Sequence, residues 1–128
     1  MNFSDERPIF LQLAEQLEDG ILRGIFPEGS QIPSITEYAV AYKINPATAL
    51  KGVNLLVDAG LLFKKRGVGM FVADGAREKV AEKRRERFYQ DFILPLIREA
   101  EALGLDAPET EKLMERGWKH EDRDQSCE

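Results

Sequence analysis

Two helix-start signals stand eleven residues apart in this chain, and their spacing limits what can lie between them. In Ser34-Ile35-Thr36-Glu37, a hydroxyl can accept from the backbone N–H three residues on, while the carboxylate reaches back. Asn45-Pro46 places a capping Asn before a Pro at the first helical position, where the missing N–H costs nothing. The first of these helices therefore fits only about 34–42. The second carries Leu50, Val53, Leu56 and Val57 on one face and stops at Gly60.

The flanking segments complete a pattern. Upstream, Pro8 opens a helix whose apolar stripe runs Ile9, Leu13, Leu17 and Ile21, widened by Phe10 and Ala14 and ending near Gly24. The stretch from Ile25 to Ser30 holds Pro27 and Gly29 and reads as turns. Downstream, Leu61-Leu62-Phe63-Lys64-Lys65 and Met70-Phe71-Val72-Ala73 are short strand-forming runs joined by Arg66-Gly67-Val68-Gly69, a connection of hairpin length. Two short helices across a tight turn, followed by a hairpin, spell a winged helix-turn-helix.

Asp74-Gly75-Ala76 reads as a hinge, after which residues 77–87 are almost wholly charged, as expected of a solvated helix face with i,i+4 pairs. A helical stripe then appears: Tyr89, Phe92, Ile93, Leu96, Ile97, Ala100 and Leu103, with Pro95 as a point of kinking and Gly104 as the end. A short last helix is expected from Pro108 to Arg116, and a polar frayed tail from His120 to Glu128. The expected fold class is mainly α with a small β-hairpin wing (α+β). Its parts are a winged domain over 1–75, a helical segment over 76–118 for dimerisation and as the candidate effector segment, and a flexible tail over 119–128.

Composition narrows the function classes. With 43% hydrophobic and 32% charged residues, the chain is ordinary for a folded soluble protein. No apolar run reaches the ~18 residues of a membrane span. Residues 1–6 lack the features of a signal peptide, so a cytoplasmic protein without membrane partners is expected. The single Cys127, beside the last residue, excludes an internal disulfide and reads as an idle thiol. One His, at position 120, and no metal-ligand spacing argue against catalysis and against a metal. The net charge of −5 means that any attraction for phosphate must come from local cationic clusters.

Three blocks carry a family resemblance: Pro8-Ile9-Phe10-Leu11-Gln12-Leu13, Ile32-Pro33-Ser34, and Arg66-Gly67-Val68-Gly69-Met70-Phe71-Val72. Together with Gly24, Pro27, Gly29 and Asp58-Ala59-Gly60-Leu61, they make the stretch from Pro8 to Ala73 resemble the N-terminal domain of GntR-type bacterial transcription regulators. The Asn45-Pro46 opening resembles the YtrA-type subfamily, whose members carry a short two-helix extension; the residues after the hairpin fit such an extension.

The resemblance implies a homodimeric regulator, a repressor, on a palindromic operator in double-stranded DNA. In a winged helix-turn-helix the second helix enters the major groove with its N-terminal residues toward base edges. That points to Asn45, Ala47, Thr48 and Lys51, of which Thr48 matches a Thr the family uses on DNA. The N-terminal turn of this helix is also expected to offer free backbone N–H groups to a phosphate. Ser34 and Thr36 begin the helix that crosses the backbone. Thr36 stands where the family commonly has Arg, and Leu50 where it has a polar or basic residue. On the wing, Lys64, Lys65 and Arg66 supply cations, and Gly67 and Gly69 allow close backbone approach. Tyr89, Phe92, Ile93, Leu96, Ile97 and Leu103 are the dimerisation candidates. No cofactor is implied, and no residue identifies a small-molecule effector. The alternative is a winged helix that binds a protein partner without DNA.

Overall fold

Apolar residues every four positions along the first helix give it one face to bury, and α1 (Ile9–Leu22) buries Leu13, Leu17 and Ile21 almost completely. The structure, a computed structural model, describes residues 6–126; residues 1–5, Cys127 and Glu128 lie outside them, and with them the idle-thiol reading and the end of the expected tail. Helix α2 (Ile35–Tyr42) starts on the capping box read from the sequence: Glu37 N–H donates to Ser34 Oγ at 3.1 Å, and Ser34 N–H donates to Glu37 Oε1 at 3.3 Å. Helix α3 (Pro46–Asp58) starts on Asn45, whose Oδ1 accepts from Ala47 N–H at 2.8 Å. Between them Lys43 takes a left-handed conformation (φ 54°), and Ile44 N–H closes the turn on Ala39 C=O at 3.1 Å.

Helices α1 and α3 pack closely. A Cβ on Gly52 would lie 2.8 Å from the Phe10 carbonyl oxygen, so only glycine permits this approach. Ala49, Val53 and Leu56 of α3 join Leu13, Leu17 and Ile21 in one core with Ile32, Tyr38, Leu61, Leu62 and Val72. Each large apolar side chain buried this way contributes about 1.5–3 kcal/mol of transfer free energy.

Strands β1 (Leu62–Lys65) and β2 (Gly69–Val72) form the antiparallel hairpin with Leu62 opposite Val72 and Lys65 opposite Gly69. The hairpin has a third participant that the sequence reading missed. Val72 N–H donates to Ser30 C=O at 2.9 Å and Ile32 N–H to Met70 C=O at 3.0 Å, so residues 30–32 cover the β2 edge. A segment rich in turn residues has no strand alternation to reveal this.

Helix α4 (Ala76–Phe88) follows at once. Contacts divide the chain into two compact units, residues 1–84 and 85–128, so the boundary falls inside α4 and not at the expected 75/76. The reason is local. Ala76 and Val80 are fully buried in the winged core, and the Lys83 ammonium bonds both carboxylate oxygens of Glu18 at 3.0 and 3.2 Å. The Arg84 guanidinium reaches Asp19 at 3.4 Å, and Arg77 Nε donates to Leu22 C=O at 3.1 Å.

The second unit contains a π-helical turn at Tyr89–Ile93, then α5 (Leu94–Ala102) and α6 (Ala107–Ser126). Leu94 N–H bonds Tyr89 C=O, five residues back. Pro95, which has no N–H to offer Asp91 C=O, follows immediately; the kink expected at Pro95 takes the form of this wider turn. Helix α6 is far longer than the 108–116 expected and runs through much of the region read as a frayed tail. A capping box starts it, with Glu109 N–H on Asp106 Oδ1 at 2.9 Å and Asp106 N–H on Glu109 Oε1 at 3.1 Å. An i,i+4 pair, Lys119 with Glu115 at 3.1 Å, supports its polar second half.

Candidate nucleic-acid interface

With Ala49, Gly52, Val53 and Leu56 turned into the core, the helical period leaves Ala47, Leu50, Lys51 and Asn54 on the outer face of α3. Thr48 is half-buried at one edge of that face, and Asn45 is exposed at its start. The recognition-helix candidates are thus presented together, except that Lys51 is drawn aside: its ammonium lies 4.1 Å from the centre of the Phe10 ring on α1. Asn54, one turn beyond Leu50, was not singled out from the sequence; its i, i+7 spacing from Ala47 was the available signal.

The N-terminal turn of α3 is already satisfied. Pro46 has no N–H, Ala47 N–H is held by the Asn45 side chain, and Thr48 N–H bonds Asn45 C=O at 2.9 Å. The free backbone donors expected there are therefore not available to a phosphate without breaking the cap. Asn45 acts here as a cap.

On α2, Ser34 is committed to the capping box and Thr36 is exposed in the first turn. Behind them Tyr38 is buried and stacks on Tyr42 with ring centres 6.0 Å apart. Burial, reinforced by the neighbouring Tyr42 and Glu37, pushes the Tyr38 hydroxyl above the ordinary tyrosine range.

The wing does not gather its cations into one patch. Strand alternation puts Lys65 on the face with Phe63 and Phe71, whose rings stack at 5.9 Å, and the Lys65 ammonium lies 4.4 Å from the Phe71 ring centre. Lys64, opposite Met70, points to the other face, and Arg66 sits in the connecting turn. That turn closes with Val68 N–H on Lys65 C=O at 2.9 Å and needs Gly67 in the left-handed region, at φ 78°. A Cβ on Gly67 would meet open space. Gly69 differs, because a Cβ there would lie 2.5 Å from the Gln31 amide nitrogen, which itself donates to Val68 C=O at 2.9 Å. The close approach at Gly69 is thus used by Gln31, a wing-positioning residue absent from the sequence reading.

In the second unit, Phe92 and Leu103 are about two-thirds exposed, and Tyr89, Leu96 and Ile97 are also exposed. Ile93 is half-buried and lines an apolar groove of about 430 Å³ with Leu96, Ile97, Ala100, Leu105 and Met114. Among the described residues no group of three or more His, Cys, Asp or Glu side chains is arranged to hold a metal ion. No described helix is long and apolar enough to cross a membrane.

This geometry has relatives. The family model "Bacterial regulatory proteins, gntR family" matches residues 10–72. The chain is 30% identical over 108 residues to the HTH-type transcriptional repressor YtrA of Bacillus subtilis, covering 84% of this chain and 80% of that one. Among solved structures it is similar to a transcriptional regulator of the GntR family from Bacteroides thetaiotaomicron, with 33% identity and a TM-score of 0.74 over 88% of this chain and 98% of the other. It is also similar to the AraR DNA-binding domain in complex with operator ORE1, with 27% identity and a TM-score of 0.52 over 57% of this chain and 89% of that domain.

Proposed function

The chain belongs to the GntR family of bacterial regulatory proteins, and from that premise we propose that it is a cytoplasmic transcriptional repressor that binds a palindromic operator as a homodimer. One observation carries the reading. A single unit presents the outer face of α3 beside a wing bearing Lys64, Lys65 and Arg66, the two elements that a winged helix-turn-helix applies to DNA. The family resemblance to an operator-bound domain supports the same use. Regulation, and no catalysis, is the role these features serve.

The C-terminal unit supplies the dimer. Tyr89, Phe92, Leu96, Ile97 and Leu103 are all exposed there, and clustered exposed apolar side chains mark an interaction surface. A two-fold pair of winged units suits half-sites about one helical turn apart.

The test is fluorescence anisotropy with the DNA upstream of the gene, repeated across a salt series, with sedimentation on the free protein. The expected result is saturable binding by a dimer at low micromolar concentration. If each wing cation neutralises one phosphate, the wings contribute a log–log salt slope of about −2.7 per subunit. A concentration-independent monomer overturns the dimer. Absence of binding even at low salt overturns the repressor and brings forward a protein partner, for which the net charge of −5 and the apolar Leu50 speak.

A further inference from the structure

The outer face of α3, which also carries Lys51 and Asn54, holds an apolar patch where a DNA-reading helix is usually polar. Leu50 is 42% exposed although it is the neighbour of the fully buried Ala49. Ala47, exposed one turn earlier, extends the same patch. The cation flanking this patch, Lys51, has its ammonium over the Phe10 ring. Neither Leu50 nor Ala47 can hydrogen-bond a base edge through its side chain. The major groove offers one apolar group, the C5-methyl of thymine.

We propose that Leu50, with Ala47, is a specificity-determining residue that reads thymine methyls, so that each half-site holds A·T pairs with thymine facing this patch. The inference rests on the reading of α3 as the DNA-contacting helix. Cytosine and uracil leave the patch facing bare ring carbon. Guanine and adenine present N7 and O6 or N6, whose hydrogen-bonding groups a leucine desolvates without replacement.

The experiment uses the full chain and a pool of duplexes with a randomised centre. The selected duplex is then remade with uracil for thymine, one position at a time. Loss of one buried methyl is expected to weaken binding about fourfold at the positions that Leu50 faces. In Leu50→Ala the penalty at those positions disappears, while the thermal midpoint of this surface variant stays close to that of the parent. This coupling between one methyl and one side chain is a readout that a structural role for Leu50 does not move. A selected sequence that tolerates uracil everywhere overturns the role of Leu50 and leaves DNA binding standing. An undiminished penalty in Leu50→Ala does the same. Failure of the parent chain to select any sequence at low salt overturns both.

Discussion

The Lys51 ammonium lies over the Phe10 ring, 4.1 Å from its centre, and so links the outer face of α3 to α1. A cation held against the ring face is attracted by the ring quadrupole, by about 0.5–1 kcal/mol where water has access. A double-mutant cycle of Lys51→Ala and Phe10→Leu, followed by urea unfolding, is expected to give a coupling energy of about that size. Strict additivity would show that the contact does not contribute.

A second tie joins α1 to α4. The Glu18 side chain is only 9% exposed and meets Lys83, which is 55% exposed. Removing the lysine as Lys83→Met leaves a nearly buried carboxylate without its cation, whereas Glu18→Gln removes the charge itself. Water reaches the lysine side, so the cost of Lys83→Met is about 1–2 kcal/mol and not that of a fully buried pair. Glu18→Gln is expected to cost less. Chemical denaturation of both variants checks the order.

Tyr38 supplies the pH dependence. Its hydroxyl is buried with no hydrogen-bond partner among the described residues, and burial raises its pKa above the ordinary value of 10.0. The folded state therefore holds the phenol proton more tightly than the unfolded chain does. The corresponding stability is present in full below pH 10 and is lost as pH rises beyond it. Tyr38→Phe removes a desolvated hydroxyl and is expected to stabilise the winged unit at neutral pH by about 1 kcal/mol. Its unfolding free energy should also fall less steeply than the parent's above pH 10.

Lys43 holds the turn between α2 and α3 in the left-handed region at φ 54°, where a side chain with a Cβ is strained. Lys43→Gly relieves that strain but loosens the unfolded chain. The net expectation is a gain of about 0.5 kcal/mol, read as a higher thermal midpoint. A lower midpoint would mean that the lysine side chain makes a stabilising contact in the turn.

What was legible in the sequence was local. The caps at Ser34 and Asn45 are written in adjacent residues, and both form as read. The hairpin is equally local, and its register follows from the short Gly-containing connection. The attachment of residues 30–32 to β2 was hidden because a polar, turn-rich segment can add to a sheet edge through backbone groups alone. The docking of α4 was hidden because Ala76 and Val80 are two small apolar residues beside a run of charges. The candidates on α3 come from one contiguous stretch, but the course of the Lys51 side chain depends on Phe10, which is forty-one positions away.

The π-helical turn at Tyr89–Ile93 has one more effect. A heptad seam keeps its facing only while the backbone advances evenly, and an extra residue in one turn swings everything beyond it around the axis. Phe88 and Phe92, whose rings are tilted with centres 5.8 Å apart, stand at this turn, and the extra residue leaves Leu96 about seven α-helical steps, two turns, beyond Phe88. Which side chains share a face across Tyr89–Ile93 is therefore set by the wider turn and not by an even 3.6-residue count.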